Sequence, residues 1–273
     1  MSDSHGISEK QEVYPILPAD NQLCTQALST YFRRYAQIFE FIIFSSQLAW
    51  SMDEARKLAR TALSKVDSAG TPKHEGSIQH EVPENRAFTE LRNYAAFQAE
   101  NTCIRHADNF LSFLSESLMS AMLVRPEMLR SNETIKMEDI LRFSSYEALI
   151  PWLVEKKLNE LTYSGIRGIE EFLKGRTGLQ ITENEQEYNH LSILIELRNI
   201  YTHNRGIVNE IFMKRINCDD ARFSFKKAKY FHIEFDNLAM LANNSFGIAK
   251  RLDAHISEKY GLIRKEYSRW IVS

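Results

Sequence analysis

Apolar residues recur every three or four positions along most of the chain, the spacing of a helix that buries one face. From about Asn21 to Lys65 the stripe runs through Leu28, Phe32, Tyr35, Phe39, Ile42 and Leu48. A second long helix is expected from about Glu84 to Leu123, stopping near Pro126, and "SNETIKMEDIL" reads as a turn followed by a short capped helix. "SYEALIPWLVEKKLNEL", Ser145 to Leu161, is amphipathic, with Pro151 in its first turn or at a kink. "GIRGIEEFLKGRTGL" continues it to a stop at Gly175 and Gly178. The next helix opens on the acids of "TENEQEY", which suit the positive end of the helix dipole. "ARFSF" and "KYFHIEF" instead alternate apolar with polar, as a small β-hairpin does, and "NLAMLANNSFGIAKRLDAHISEKY" closes the chain with another helix.

The pattern breaks in two places. Residues up to about Ala19 are polar and punctuated by Pro, which predicts a loose arm. "DSAGTPKHEGSIQHEVPEN", Asp67 to Asn85, is a Gly/Pro linker without periodicity, and its His74 and His80 read as solvated rather than ligating. The expected fold is therefore mostly α: an antiparallel helical bundle over 85–273 with one minor hairpin, preceded over 1–84 by an arm, a helical extension and a flexible linker.

Composition agrees with this picture. The 273 residues include only 10 Gly and 6 Pro, few breakers for a chain of long helices, and 44% are hydrophobic, enough for a sizeable core. Three separated cysteines, Cys24, Cys103 and Cys218, suggest neither a disulfide framework nor a zinc ribbon and fit a reduced, cytoplasmic setting. The start "MSDSHGISEKQEVYP" has no apolar signal core. The most apolar run, Ile38 to Phe44, is far shorter than the roughly 20 residues of a membrane span and contains Glu40. A net charge of −2 argues against a protein that coats long nucleic acid, though not against an enzyme that grips a few phosphates. No Gly-rich phosphate loop, His-Glu-x-x-His, Gly-x-Ser-x-Gly or calcium loop is present, so no cofactor or metal is expected.

The stretch richest in chemistry is "LIELRNIYTHNRGIVN", Leu194 to Asn209. At about 100° per residue, Asn199 and His203 fall within about 60° of Glu196, along one stripe. Ile193, Leu194, Leu197, Ile200 and Tyr201 occupy the neighbouring face, which must be buried. Arg198 lies about 140° from His203, so one chain has difficulty bringing both to one phosphate, whereas two such helices crossing at a two-fold axis do not. Phosphoryl chemistry without a metal needs a proton carrier near neutral pH, which His supplies, and a fixed cation, which Arg supplies with paired donors. Asn199 can orient the imidazole or hold a phosphate oxygen, and Glu196 can position Arg198 of its own or a partner chain. Asn204 and Gly206 also fit plain helix-end chemistry.

Arg198-Asn-Ile-Tyr-Thr-His203 resembles the Arg, four to six residues, His signature of HEPN domains, with Asn199 as the polar residue after the Arg. "ELRNIYTHNRGIVN" is similar to the common form of that motif, including Glu196, Asn204 and Gly206. The stretches "NFLSFLSESLMSAMLVRPEML" and "ILRFSSYEALIPWLVEKKLNELTY" resemble the helices before it. The resemblance covers roughly Asn93 to Tyr260 and does not extend to residues 1–84. It implies an all-α bundle that homodimerises, forming a composite active site from two Arg/His pairs, and a metal-independent endoribonuclease of the kind found among toxins and antiviral defence effectors. His203 would transfer the proton as a 2′-OH attacks the adjacent phosphate, Arg198 would stabilise the phosphorane, and 2′,3′-cyclic phosphate ends would result. An antitoxin or sensor is a partner such proteins have. The alternative is a catalytically silent module of the same family that dimerises and binds a nucleotide or partner protein.

"TELRNYAAF", Thr89 to Phe97, repeats Glu-Leu-Arg-Asn but has Phe97 where the later copy has His203, so Arg92 and Asn93 are expected on a solvated helix face. Cys103 and His106 lack a second pair of ligands and read as structural. For RNA, Arg205, Lys214, Arg215, Lys226 and Lys227, with Lys229 nearby, form a local basic strip that fits phosphate contacts and a solvated face equally. Tyr201 can stack on a base, though its place in the apolar arc suits the core.

Overall fold

The computed structural model describes residues 13–68, 85–130, 134–216 and 220–269, with the backbone alone for 66–68 and 162–165. The central linker and its histidines, most of the arm, and Cys218 lie outside the described residues. Strand β1 (Leu23–Cys24) precedes α1 (Gln26–Ser68), then come α2 (Arg86–Asn93), α3 (Ala95–Val124), a 3-10 turn (Pro126–Leu129) and α4 (Met137–Ile140). The chain continues through α5 (Tyr146–Thr177), α6 (Glu185–His203), α7 (Glu210–Arg215) and α8 (Phe235–Tyr260) to β2 (Lys265–Glu266). No helix among the described residues is long and apolar enough to cross a membrane.

The fold is mostly helical with one small antiparallel pair, but not where the alternation pointed. β1 pairs with β2, joining the two ends of the described chain, Leu23 opposite Glu266 and Cys24 opposite Lys265. No ladder forms between 221–225 and 229–235. Their alternation is used in another way: Phe223 and Ile233 are buried in the core, and the backbone docks on the loop after α6 through an isolated bridge between Ile207 and Tyr230. Alternation reports one buried face, and a groove between helices meets that requirement as well as a paired strand does. The long helix expected from Glu84 also differs, breaking at Tyr94 between α2 and α3. Pro151 is accommodated inside α5, whose Ser145 caps the start by accepting from the Ala148 N–H.

Two apolar clusters fill the interior. The larger unites Leu28, Phe32 and Tyr35 of α1 with Phe110 and Phe113 of α3, Val154 of α5 and Ala249 of α8. Thus α1, from the N-terminal segment, shares one core with the helices of the C-terminal segment. Residues 14–16 are tied down too: Asn243 of α8 accepts from the Ile16 N–H at 2.9 Å and donates to the Tyr14 carbonyl at 2.9 Å, so this stretch is not a loose arm. The second cluster gathers Cys103 of α3, Ile193, Leu194, Leu197 and Ile200 of α6, Phe212 of α7 and Leu241 of α8. Helix α6 serves both, since Leu191 and Ile195 belong to the first cluster. Residues 191–197 of α6 are buried without interruption, so its placement is set on every side.

Candidate functional site

Helix α6 begins firmly. Asn184 caps it by accepting from the Glu187 N–H at 2.9 Å, and Glu185 and Glu187 face its positive end. Arg251 of α8 clamps Glu187 through two donors, at 3.0 and 2.6 Å. These hydrogen bonds, working against burial, hold the Glu187 carboxyl below the usual range. The helix ends as firmly. The N–H groups of Asn204 and Gly206 both donate to the Ile200 carbonyl, at 2.8 and 3.0 Å, while Arg205 and Gly206 take left-handed φ of +51° and +75°. Gly206 is required twice over: a Cβ there would meet the Tyr230 ring at 2.5 Å. Tyr230 in turn is anchored by its hydroxyl to Glu100 of α3, and the Phe231 N–H donates to the Gly206 carbonyl at 3.0 Å.

On this frame the motif residues separate. Arg198 is half-buried and reaches sideways to α3, where its Nε donates to Asp108 at 2.8 Å; its Nη1 donates to Asn199 Oδ1 at 3.2 Å. Asn199 therefore braces Arg198, and no side-chain hydrogen bond joins either residue to His203. His203 is the last residue of α6, exposed, with no side-chain partner among the described residues. Asn204 spends its amide on the Ile207 carbonyl, closing the turn beneath His203. Of the five guanidinium N–H donors of Arg198, those on Nη2 and the second on Nη1 remain unused, so the group can be held by Asp108 and still grip a phosphate.

Within the chain, Glu196 is not the carboxylate that holds Arg198. It is buried, and its carboxylate accepts from Arg215 of α7 at 3.0 Å, pinning α7 beneath the helix end. The wheel puts Glu196 and Asn199 on one stripe, but packing turns Glu196 toward the second core cluster and Arg198 toward α3. Arg215 is thereby withdrawn from the basic strip, as is Lys227, which pairs with Glu210. Arg205, Lys214 and Lys226 are exposed and make no ion pair among the described residues. Tyr201 is core: it is buried and its hydroxyl donates to the Phe231 carbonyl at 3.1 Å. Burial first, then the neighbouring Cys103 and Glu100, push its phenol up, so it stays neutral. In the earlier copy of the motif, Arg92 and Asn93 are exposed at the end of α2.

Asp108 is the neighbour of Arg198 that the sequence gives no means of finding. It lies ninety positions from Arg198 in the chain, and nothing local to α3 marks its partner. The Tyr230–Glu100 link that locks the turn after His203 is equally invisible, because it joins α3 to a loop far along the chain. Asp108 also lines a cleft of about 740 Å³ between α1 and α3. Comparison with family models, curated proteins and solved structures finds no match to this chain.

Proposed function

We propose that this protein is a metal-independent endoribonuclease of the HEPN type, acting as a homodimer and serving as a toxin or antiviral defence effector. The observation that carries this reading is the end of α6: a braced guanidinium with unused donors and an unpartnered, exposed imidazole one turn later, on a helix held rigid at both ends. Rigid support of this kind is what positioning of a reacting phosphate requires. In the reaction, the 2′-oxygen bonds to phosphorus while the bond from phosphorus to the 5′-oxygen breaks. His203 removes the 2′-OH proton, and a second imidazole, from the dimer partner, protonates the leaving 5′-oxygen. Arg198 answers the charge on the phosphorane through its free Nη donors. Asn199 is a positioning residue for Arg198. Arg205, Lys214 and Lys226 hold flanking phosphates.

One observation favours a second reading. The Arg198–Asp108 ion pair gives the arginine a structural use, which suits a silent module that dimerises and binds a nucleotide or partner protein, an antitoxin or sensor among them. End-labelled tRNA and single-stranded RNA, incubated in EDTA with wild type and His203→Ala, separate the two. Cleavage by wild type alone, leaving cyclic phosphate ends, supports the enzyme. Equal cleavage by both refutes the role of His203, and no cleavage with intact dimerisation supports the silent module.

A further inference from the structure

The cleft between α1 and α3 has chemistry that the core does not explain. One wall carries Arg34 and Phe41 of α1, and the other Phe97, Asn101, Arg105 and Asp108 of α3. These residues recur along one side of each helix, so each wall is a continuous stripe, about 10 Å long on α1 and about 16 Å on α3. Phe41 and Phe97 are 67% and 65% exposed, an arrangement that leaves aromatic faces in water. Arg34 and Arg105 are exposed and have no acidic partner among the described residues. The carboxylate in the cleft, Asp108, is already answered by Arg198. The cleft therefore carries two uncompensated positive charges on a chain whose net charge is −2.

We propose that this cleft seats single-stranded RNA, with bases against Phe41 and Phe97 and phosphates on Arg34 and Arg105. Aromatic faces together with cations in one groove are what an unpaired strand requires, since every base has a face to stack and every linkage an anion. A single strand fits better than a free nucleotide. The antiparallel packing that sets Tyr31 beside Asn109 and Phe39 beside His106 puts Phe41 and Phe97 toward one end of the cleft and Arg34 and Arg105 toward the other. The two ends are about 12 Å apart along α3, beyond the reach of one nucleotide. Asp108 joins the cleft to Arg198, so a strand lying in it leads to the end of α6. The binding stands on the cleft's own residues; that the strand is then cut rests on the ribonuclease reading.

The test is fluorescence anisotropy with a short labelled 2′-O-methyl single strand, which lacks the attacking hydroxyl, so binding is read apart from cleavage. Phe97→Ala weakens affinity about tenfold or more, the loss typical of one stacked base. Arg105→Ala lowers the slope of log affinity against log salt by about 0.7, the value for one phosphate on a single strand. Arg167→Ala, on α5 and outside the cleft, changes neither. All three positions are exposed, and unchanged thermal melts establish that the fold is kept. Absence of saturable binding by wild type, or wild-type affinity in both cleft variants, overturns the inference. So does a mononucleotide that competes as well as the strand, which would make this a small-ligand pocket. A Phe97→Ala variant that loses self-association yet binds RNA normally would make the cleft a protein interface and overturns the inference as well. Strand binding in the cleft without RNA cleavage removes the ribonuclease reading and keeps the cleft, whereas cleavage indifferent to Phe97 and Arg105 does the reverse.

Discussion

Acidification should unfold this protein through His106, and the size of the effect can be worked out. The ring lies between α1 and α3, with centroids of Tyr35 and Phe39 at 4.9 and 4.4 Å, fully buried and with neither nitrogen hydrogen-bonded. Burial pushes its imidazole down to about 3, against about 6.5 in an unfolded chain. Between those values the unfolded state binds the proton that the folded state refuses. The contribution is therefore intact above about pH 6.5 and is lost as pH falls toward 3. At 1.36 kcal/mol per unit, linkage gives a loss of about 2 kcal/mol at pH 5 and about 3 kcal/mol at pH 4, a large share of the 5–15 kcal/mol typical of a domain. His106→Leu removes the titrating group. It forfeits ring contacts of about 1 kcal/mol each, but also the buried N–H without an acceptor, which costs about 1–3 kcal/mol, so the variant stays within about 1 kcal/mol of wild type at neutral pH. Urea unfolding of both proteins at pH 7.5, 5 and 4 measures the difference. Other acid-sensitive groups act on both proteins and cancel: Asp220 is held low by Arg222, and Asp53 is held low, against burial, by the amides of Phe88 and Ala87. Stability curves that run parallel across this range would refute the reasoning.

Three further outcomes are expected. Gly206→Ala should cost about 2 kcal/mol or more, from the left-handed backbone and the clash with Tyr230. Adding Tyr230→Ala should recover the steric part, so the double variant melts higher than additivity allows, and simple additivity would show that the two do not press on each other. Asp53→Ala removes the carboxylate that accepts from the Ala87 and Phe88 N–H groups at 3.0 and 2.9 Å. Hydrogen exchange at those two amides should accelerate severalfold while α6 stays protected, and unchanged exchange would deny Asp53 its capping role. Asp108→Asn keeps an acceptor for Arg198 but deletes an anion beside the proposed phosphate path. On the ribonuclease reading KM for RNA falls with kcat little changed, stability moves by less than about 1 kcal/mol, and a KM unaffected at low salt would place the phosphate elsewhere.

The helices were legible because their causes are local. Asn184 and the acids behind it mark the start of α6, Gly178 stops α5, and the apolar stripe of α1 follows from spacing as far as Phe39. Beyond it Leu48, read as part of the stripe, is exposed because no neighbouring helix among the described residues covers it. The assignment of Tyr201 to an apolar face and of Gly206 to a helix end rests on the same short-range physics. What the sequence could not decide is which residue lies across from which. Glu196 and Arg198 point about 160° apart around α6 by their spacing alone, but which partner each direction meets, Arg215 for Glu196 and Asp108 for Arg198, came only with the packing. The alternation in 221–235 correctly announced one buried face, but whether a strand or a helical groove would cover it depended on where α6 and its turn came to lie. Periodicity encodes how much of an element must be hidden from water; the partner that hides it is chosen only when distant segments compete for the same space, and that choice belongs to the tertiary structure.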